Sequence, residues 1–478
     1  MAQRPPPPPP AAPGAAPAAP PPAGGAWQRA LDRIYGFTNW ETRPPGTPHT
    51  FALERIEHLL AALGQPHHAW PAVHVGGTNG KGSTCAFVAA ALAAAGYRVG
   101  RYTSPHLHTV RERIRVGDRL IGEAEVIAWL DTHRALLDAL AGLTTFEVLT
   151  ALAFDHFRAA EVDIAVVEVG LGGRLDTTRV VRPAVSVLTS IGLDHREILG
   201  DTVRQIASDK VGIFHPGVPV VSAPQEPDAA AVIDAEARRL GCPLSIVGRD
   251  ARWRVRPGTR PPVLDIEVDA GDAPPTRYAV VPGLLGPHQH VNATVAAAAL
   301  TVLDGHGWPV GPAAVEAGLA AARWPGRYER FATPAGGTLV VDGAHNPPGV
   351  AALLAALDAV DPAPAYVFVL GFGGGKDVDA MLDALGPRAA HVVTVQADHP
   401  KALDAARLAD RIAGRGLRVP LTVGGADMAA ALDRALAAAG AGVVVATGSI
   451  FVAADVREAW LDRLGTPVRE RDAPRPTS

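Results

Sequence analysis

Short runs of β-branched and aliphatic residues alternate along the chain with longer stretches rich in alanine and leucine. The first series of apolar runs lies at residues 73–75, 164–169 and 184–191, with a helical stretch at 83–95. The second series lies at residues 338–341, 366–370, 391–395 and 442–446. Continuous apolar strands separated by helices are typical of parallel sheets covered on both faces. The pattern therefore predicts an α/β protein with two parallel sheets.

The two series meet at a Trp-Pro-Gly sequence, residues 324–326, which predicts a boundary between two domains. We expect an N-terminal domain over residues 26–323 and a C-terminal domain over residues 327–465. A polar, proline-rich stretch at residues 247–282 is interpreted as a hairpin insertion at the end of the first domain. The linker between the two series is the predicted hinge.

Both ends of the chain have the composition of loose tails. Residues 1–25 are almost wholly Pro, Ala and Gly and lack the apolar core of a signal peptide, so we expect a disordered tail there. A flexible tail is expected over residues 466–478. No apolar run reaches the roughly 18 residues of a membrane span. We therefore expect a cytoplasmic protein with no membrane partner.

Composition narrows the function classes. The net charge of −4 gives no excess of basic residues of the kind that binds nucleic acid. The two cysteines, Cys85 and Cys242, are too few for a disulfide framework or a cysteine-built zinc site. Four of the 44 lysine and arginine residues are lysines, namely Lys81, Lys210, Lys376 and Lys401. Because this chain uses arginine where only charge is needed, a retained lysine suggests a need for a compact or deprotonatable amine.

A glycine-rich loop follows the first apolar run and leads into a helix. It reads Gly76-Gly77-Thr78-Asn79-Gly80-Lys81-Gly82-Ser83. Glycines let backbone N–H groups turn toward a phosphate, and the helix N-terminus adds the positive end of its dipole. The match to the standard phosphate-loop pattern is imperfect, because Val75 replaces the first glycine and Gly82 separates Lys81 from Ser83. We predict a nucleotide-phosphate site in which Lys81 neutralises the outer phosphates, rather than a plain turn.

Two later apolar runs are followed by candidate catalytic residues, Glu168 and His195. The carboxyl ends of parallel strands share one edge of the sheet, where ligands bind, so both should lie near Lys81. A carboxylate beside a phosphate loop is a natural Mg²⁺ ligand. Lys210 follows in a helical stretch. A lone lysine there is usually a solvated charge, but a buried one could react with CO2 to form a metal-binding carbamate.

A series of short motifs resembles the folylpolyglutamate synthases and bifunctional dihydrofolate synthases of the Mur-ligase superfamily. The resemblance covers residues 27–465. Its motifs lie, in chain order, at residues 74–83, 102–107, 145–147, 168–176, 189–195, around Lys210, and at 288–293, 324–329, 342–347 and 447–451. It implies a P-loop-type ATP-binding domain, with helices on both faces of its sheet, and a C-terminal Rossmann-like domain.

The resemblance also implies a reaction and its residues. The implied enzyme is an ATP- and Mg²⁺-dependent ligase that joins L-glutamate to dihydropteroate or a folate through an acyl-phosphate. The implied ATP contacts are Gly77, Thr78, Asn79, Gly80, Lys81, Gly82, Ser83, Asn292, Arg327 and Asp342. The implied Mg²⁺ ligands are Ser104, Glu168 and His195, and the implied catalytic residues are Lys81, carbamylated Lys210 and His345. The implied substrate contacts are Thr144, Thr145, Phe146, Glu147, Leu175, Asp176, Thr177 and Ser449, with Ser449 and His345 near the incoming glutamate.

Two segments depart from the family pattern. Where the family usually has Asp-Ala-Thr-Asn, this chain has Asp176-Thr177-Thr178-Arg179, which bears on pteridine recognition. Residues 371–377 keep the Lys-Asp ending of a family loop on an unusually glycine-rich lead. Alone, that loop could form a second nucleotide site, but a flexible turn between strand and helix is the favoured interpretation.

Three functions remain distinct at this stage. The first is the folate ligase, with dihydrofolate synthase and polyglutamate extension not separable, so a bifunctional enzyme is expected. The second is a ligase of the same superfamily that acts on a cell-wall or other acceptor. The third is a nucleotide-dependent switch, which would change conformation with ATP but form no amide. For the first we expect a monomer with small-molecule substrates and no nucleic-acid partner.

Overall fold

The computed structural model describes residues 24–39, 52–270, 273–466, 468 and 472. The tail expected over residues 1–25 lies outside the described residues except for its last two, which already belong to the first helix. Most of the tail expected over 466–478 also lies outside them. Within the described ranges, no helix combines the length and the hydropathy that a bilayer crossing requires.

The described residues group into two compact units. The first contains residues up to His106, together with Val110–Gly283 and His290–Ala322. The second contains Leu107–Thr109, Leu284–Gln289 and the residues from Arg323 onward. Each unit is built on a sheet that is mostly parallel, so the predicted α/β class with two parallel-rich sheets is confirmed.

The first unit holds an eight-stranded sheet and a separate three-stranded sheet. Its strands are β1 Ala72–Gly76, β2 Val99–Tyr102, β3 Ile114–Val116, β4 Arg119–Leu120, β5 Ile164–Glu168, β6 Pro183–Leu188, β7 Val220–Ser222, β8 Leu244–Ile246, β9 Ala251–Val255, β10 Leu264–Ala270 and β11 Ala273–Val280. Its helices are α1 Gly24–Gly36, α2 Leu53–Ala62, α3 Lys81–Ala94, α4 Glu123–Thr132, α5 Arg134–Ala139, α6 Thr145–Ala159, α7 Arg196–Leu199, α8 Val203–Lys210, α9 Pro227–Leu240, α10 Pro287–Gly305 and α11 Pro312–Ala321. Helix α10 begins in residues grouped with the second unit.

The order of the large sheet places β1 between two parallel neighbours. The order is β4-β3-β2-β5-β1-β6-β7-β8, and only the β3 and β4 edge is antiparallel. Every residue of β1 and β5 is buried, as expected for strands covered on both faces. Strands β9 to β11 pair antiparallel, one strand more than the predicted hairpin. The loops after β1, β2, β5 and β6 therefore share one edge of the sheet.

The second unit holds a six-stranded sheet in the order β12-β13-β17-β14-β15-β16, with only β12 antiparallel. Its strands are β12 Glu329–Ala332, β13 Thr338–Val341, β14 Tyr366–Leu370, β15 Ala389–Val395, β16 Leu421–Gly425 and β17 Val443–Thr447. Its helices are α12 Pro347–Val360, α13 Val378–Leu385, α14 Ala405–Gly414, α15 Met428–Ala439 and α16 Ile450–Arg463. Short 3₁₀ helices lie at Pro66–His68, Val110–Arg113, Thr177–Val180, Val211–Ile213 and Gly386–Arg388.

Strand β14 shows how this sheet is buried on two faces. Phe368 and Leu370 pack in one apolar cluster, whereas Val367 and Val369 pack in another. Alternate side chains of a strand point to opposite faces, so one continuous apolar run supplies both clusters. This arrangement holds the carboxyl ends of the strands, where the predicted second-unit residues follow, on a rigid base.

Candidate active site

The loop after β1 has the backbone of a phosphate-binding turn. Gly77 and Gly80 have positive φ angles of 136° and 92°, a region that side chains with a Cβ rarely adopt. A Cβ on Gly77 would collide with the Thr189 hydroxyl, and one on Gly80 would lie 2.5 Å from the Asn292 amide oxygen. Helix α3 begins at the next residue, Lys81. The loop is thus shaped by the absence of side chains, and Asn292 packs directly against it.

The same loop is tied to the loop that follows β6. The Thr78 N–H donates to the Ser190 carbonyl at 2.8 Å. The Thr78 hydroxyl lies 3.2 Å from both the carbonyl oxygen and the nitrogen of Gly192, and can donate to the former and accept from the latter. Gln225 holds the β6 loop from beyond, donating to the Thr189 carbonyl at 3.0 Å. These bonds fix the loop without using the α3 N-terminus.

Two lysines meet at one carbonyl of this loop. Lys81 Nζ donates to the carbonyls of Gly77 and Thr78, each at 3.2 Å. Lys210 Nζ donates to the Gly77 carbonyl at 2.9 Å, although the two residues are far apart in sequence. Lys210 is only 4% exposed. Burial, reinforced by the charge of Lys81, lowers the pKa of Lys210 to about 7. A large share of its amine is therefore neutral and nucleophilic near neutral pH.

Two of the three predicted metal ligands come together at the sheet edge. Glu168 ends β5 and is buried, and its Oε2 accepts a hydrogen bond from the Ser104 N–H at 3.1 Å. His195 lies after β6 and has a left-handed backbone; its side chain is 42% exposed, with Nδ1 4.0 Å from Glu197 Oε1. No three His, Cys, Asp or Glu side chains cluster as a metal site in the described part of the chain.

The loop after β5 is closed on itself by Asp176. Its carboxylate accepts the Leu171 N–H at 2.8 Å, the Thr178 N–H at 2.9 Å and the Thr178 hydroxyl. Burial raises the pKa of Asp176, opposed by these hydrogen bonds. Leu175, by contrast, is 44% exposed. The aspartate therefore shapes the loop from inside, while its neighbour presents an apolar surface outside.

Sequence reasoning gave His74 no role, although it supports this loop from β1. Its Nε2 lies 2.9 Å from the Thr178 hydroxyl, whose own hydrogen goes to Asp176. This arrangement requires a hydrogen on Nε2, which the ring donates to the Thr178 oxygen. Burial lowers the pKa of His74 to about 3, with His215 and Arg179 adding to the effect. The sequence did contain a sign of this role, because His74 is the single polar residue in the otherwise apolar strand β1.

The segment from Thr144 to Glu147 is occupied largely by structural bonds. Thr144 and Glu147 form a capping box at the start of α6, and Arg55 donates to Glu147 at 3.0 Å. The Thr145 hydroxyl donates to the Ile34 carbonyl at 3.0 Å. Phe146 is only partly buried and packs on Tyr102, with ring centroids 5.9 Å apart. Within this segment the aromatic ring is the group best placed to touch a ligand.

In the second unit, Asp342 directly follows β13. Its carboxylate accepts the N–H groups of Tyr328 and Ala344, each at 2.8 Å. The Arg327 guanidinium lies over Gly343, where a Cβ would collide with it. His288 belongs to the same unit; burial lowers its pKa, and Asp342 and Arg327 act on it in opposite directions. Asp342 and Arg327 are thus held at one end of β13.

The two remaining predicted residues lie at neighbouring strand ends. His345 Nδ1 is 2.9 Å from the Gly343 carbonyl, which fixes the ring and leaves Nε2 on its other side. Ser449 follows β17 and caps α16, its hydroxyl accepting the Phe451 N–H at 3.2 Å. Strands β13 and β17 pair in parallel, so both residues lie at the same edge.

Two family models match the chain in order. The Mur ligase middle domain matches residues 75–300, and the Mur ligase, glutamate ligase domain matches residues 326–450. The first span contains the phosphate loop, Glu168, Lys210 and Asn292. The second contains Asp342 and Ser449.

Several named proteins are similar over most of the chain. The folylpolyglutamate synthase of Lacticaseibacillus casei is 38% identical, over 69% of this chain and 78% of that protein. The dihydrofolate synthase/folylpolyglutamate synthase of Mycobacterium tuberculosis is 37% identical, over 77% of this chain and 79% of that protein. A probable bifunctional folylpolyglutamate synthase/dihydropteroate synthase of Haloferax volcanii is 36% identical over 91% of this chain, which spans only 50% of that longer protein.

Solved structures show the same likeness in three dimensions. The folylpolyglutamate synthase of Mycobacterium tuberculosis, complexed with ADP and AMPPCP, matches with a TM-score of 0.80 and 32% identity, over 94% of this chain and 100% of that one. A structure described as an FPGS–AMPPCP–folate complex matches with a TM-score of 0.75 and 32% identity, over 91% of this chain and 99% of that one.

Proposed function

Because the chain belongs to the folylpolyglutamate synthase and dihydrofolate synthase family of Mur-type ligases, we propose that it is an ATP-dependent carbon–nitrogen ligase. It joins the carboxylate of dihydropteroate, or of a folate or its polyglutamate, to the amino group of L-glutamate and releases ADP and phosphate. The observation that carries this proposal is the pair of lysines, Lys81 and Lys210, that meet at the phosphate loop. It acts as a monomer in the cytoplasm, on small molecules alone.

The phosphates of ATP are proposed to bind at residues 77–83. The open glycine backbone and the N-terminus of α3 offer N–H groups to them, and Lys81 moves from the loop carbonyls onto the outer phosphates. Asn292 packs against Gly80 and is proposed to contact the nucleotide beside the loop. Arg327 and Asp342 are proposed to add contacts from the second unit. In support, related structures were solved with ADP and AMPPCP.

The reaction proceeds in two displacements. An oxygen of the substrate carboxylate attacks the γ-phosphorus, the bond to the β–γ bridging oxygen breaks, and ADP leaves. The glutamate amine then attacks the acyl carbon, the bond from that carbon to the phosphate oxygen breaks, and the amine releases a proton. Lys81 and the loop amides offset the charge that develops on the transferred phosphoryl group. His345 and Ser449 are proposed to position the incoming glutamate.

The residues at the end of β5 fit a magnesium ion. Mg²⁺ prefers oxygen ligands and keeps several waters, so one carboxylate and one hydroxyl are a sufficient protein contribution. Glu168 would supply the carboxylate and Ser104 the hydroxyl; the two residues are neighbours, since the Ser104 backbone N–H donates to Glu168 Oε2 at 3.1 Å. His195 is the third proposed ligand. When bound, the ion would neutralise phosphate charge during the transfer.

Lys210 is proposed to carry a carbamate. Its neutral amine nitrogen attacks the carbon of CO2, the new N–C bond forms, and one proton leaves to solvent. The product is an anion, which changes the interaction with Lys81 from repulsion to attraction and offers oxygen atoms at the phosphate loop. The lowered pKa, about 7, supports this step because only the neutral amine reacts.

The pteroate is proposed to contact the segment 144–147 and the loop 175–177. Phe146 offers a partly exposed ring and Leu175 an exposed apolar side chain. Thr144, Thr145 and Glu147 act mainly by holding α6, and Asp176 by shaping its loop. Thr177 begins the 3₁₀ helix that follows Asp176 and stays a proposed contact.

Product analysis tests the proposal. The protein is incubated with ATP, Mg²⁺ and L-glutamate, with dihydropteroate in one arm and a reduced folate in the other. Mass spectrometry should show a gain of one glutamate in each arm and ADP formation that depends on the acceptor. Absence of product with both acceptors would contradict the proposal. Product in one arm alone would assign the enzyme to that single activity.

The carbamate has its own test. Lys210→Ala should abolish product formation, and added short carboxylic acids should restore part of it by occupying the vacated position. Arg204→Ala is the matched control, because Arg204 lies on the same helix in an exposed ion pair with Asp228. Unchanged activity in Lys210→Ala without any added acid would reject the carbamate.

A further inference from the structure

The segment that carries Lys210 is held by the loop that follows β5. Helix α8 ends at Lys210, and a 3₁₀ turn, Val211–Ile213, continues from it. The last carbonyls of a helix have no partner within the helix and need donors from elsewhere. In this chain Arg174 donates to carbonyls at the end of α8, and Arg179 donates to a carbonyl of the 3₁₀ turn that follows.

Arg174 takes the carbonyls before Lys210. Its backbone N–H donates to the Asp209 carbonyl at 3.0 Å, and its Nη2 donates to the Ser208 carbonyl at 3.1 Å. The two backbones approach closely at glycines: a Cβ on Gly173 would lie 2.6 Å from the Lys210 carbonyl oxygen. The β5 loop and the Lys210 segment therefore form one packed pair.

Arg179 takes the carbonyl after Lys210. Its Nε donates to the Gly212 carbonyl at 2.6 Å, a bond that is half-buried and charge-assisted. The backbone of Arg179 is itself fixed, because its N–H donates to the Asp176 carbonyl at 2.9 Å. His215 lies close to Arg179; burial lowers the pKa of His215, and the charge of Arg179 adds to this effect. The two arginines thus hold the chain on both sides of the residue whose amine reaches Gly77.

We infer that Arg179 is a positioning residue that fixes the Lys210 amine at the phosphate loop by capping the Gly212 carbonyl. This inference rests on the proposed function. It also assigns a purpose to the departure noted in the sequence, where arginine replaces the asparagine usual in the family. The same side chain links the proposed pteroate loop to the lysine, so both are set by one contact.

A double-mutant cycle tests the inference. Arg179→Ala should lower kcat about 10-fold with little change in KM for ATP, the effect expected on losing one charge-assisted bond. Arg179→Lys keeps a charged donor and should retain most of kcat. In the Lys210→Ala background, measured with a rescuing carboxylic acid, Arg179→Ala should change kcat by less than about twofold, because the residue it positions is gone. An equal loss in both backgrounds would overturn the inference.

A second readout is independent of turnover. With ¹³C-bicarbonate, the carbamate resonance of the wild-type protein, assigned by its loss in Lys210→Ala, should need more bicarbonate to appear in Arg179→Ala. Arg204→Ala should match the wild type in resonance and thermal unfolding. If Arg179→Ala does not fold, Arg179→Gln carries the same two measurements.

The outcomes distinguish a failure of the proposed function from a failure of the positioning role of Arg179. A wild-type protein that forms no product contradicts the proposed function. A wild-type protein that forms product and carbamate, with Arg179→Ala unchanged in both, contradicts the positioning role alone.

Discussion

The loop after β1 and the loop after β14 look alike in sequence and differ in chemistry. Each follows a fully buried parallel strand, is rich in glycine, contains a lysine and leads into a helix. Helix α3 has Gly80 as its N-cap and no acidic residue in its first turn. Helix α13 is capped by the Asp377 carboxylate, which accepts the Ala380 N–H at 3.2 Å, and Asp379 adds a second negative charge.

That difference decides what each helix end can bind. The positive end of a helix dipole attracts anions, and a carboxylate placed there satisfies it and repels a phosphate. The second loop is also engaged elsewhere, since the Gly374 N–H donates to the Lys401 carbonyl at 2.7 Å. A glycine-rich loop, a lysine and a helix in the right order are therefore not enough to form a phosphate-binding site. The structure favours the turn interpretation of residues 371–377 over a second nucleotide site.

The largest expected effect separates the two lysines. Lys81→Ala should lower ATP turnover by about 10²–10³-fold, because it removes the positive charge nearest the transferred phosphate. Lys376→Ala should leave ATP affinity unchanged. Phosphate release measures the turnover of each variant, and calorimetry measures its affinity for ATP. Equal losses of ATP affinity in both variants would remove the distinction between the loops.

The glycines offer the next contrast. Gly80→Ala should weaken ATP binding about 10- to 100-fold, because φ is 92° and the new Cβ meets Asn292. Gly375 has a similar φ of 80°, with nothing within 4 Å of a Cβ. Gly375→Ala should therefore cost about 1 kcal/mol of stability and no ATP affinity. Calorimetry and urea unfolding on both variants check this; intact binding in Gly80→Ala would contradict it.

Acid should weaken the strand below the first loop. His74 in β1 is neutral in the fold, with a pKa of about 3, and gains a proton on unfolding below about pH 6.5. Its contribution to stability is complete above pH 6.5 and is lost as the pH falls toward 3. Between pH 7 and pH 5 the loss should be roughly 2 kcal/mol.

Urea unfolding at the two pH values measures this loss. His74→Gln keeps an N–H donor for Thr178. It should reduce the change in the free energy of unfolding between the two pH values. His67, which burial also shifts, to a pKa of about 4, supplies a remaining dependence in the variant. The same change in His74→Gln as in the wild type would assign the acid sensitivity to other groups.

The smallest expected effect concerns the cap of the second loop. Asp377→Ala should destabilise the second unit by about 1 kcal/mol through loss of the cap. Asp377→Ser keeps a capping oxygen without the charge and should recover most of this. Thermal unfolding reports both. No difference between Ala and Ser would mean that the carboxylate charge, and not the cap, stabilises α13.

In the second sheet, the sequence located the interior strands well and the edge strands poorly. The runs at 338–341 and 366–370 coincide with β13 and β14, because strands buried on both faces are continuously apolar. Strands β12 and β16 were missed. β12 alternates polar and apolar residues and β16 ends in two glycines, so neither has that signature.

The candidate site divides in a similar way. The family resemblance is confirmed by the matched domains and relatives. The phosphate loop was readable because its glycines and lysine are contiguous. The bonds that hold Thr145 and Glu147 come from Ile34 and Arg55, about 90 to 110 residues away in sequence. No local pattern shows such partners, so those residues were read as substrate contacts without their structural role.

The two cysteines give the molecule a practical property. Cys85 and Cys242 are buried free thiols, and burial raises the pKa of each. Since the thiolate is the reactive form, both should resist alkylating dyes. A cysteine introduced at an exposed position such as Arg204 would then be labelled selectively, and fluorescent reporters could be attached to this protein without first removing its own thiols.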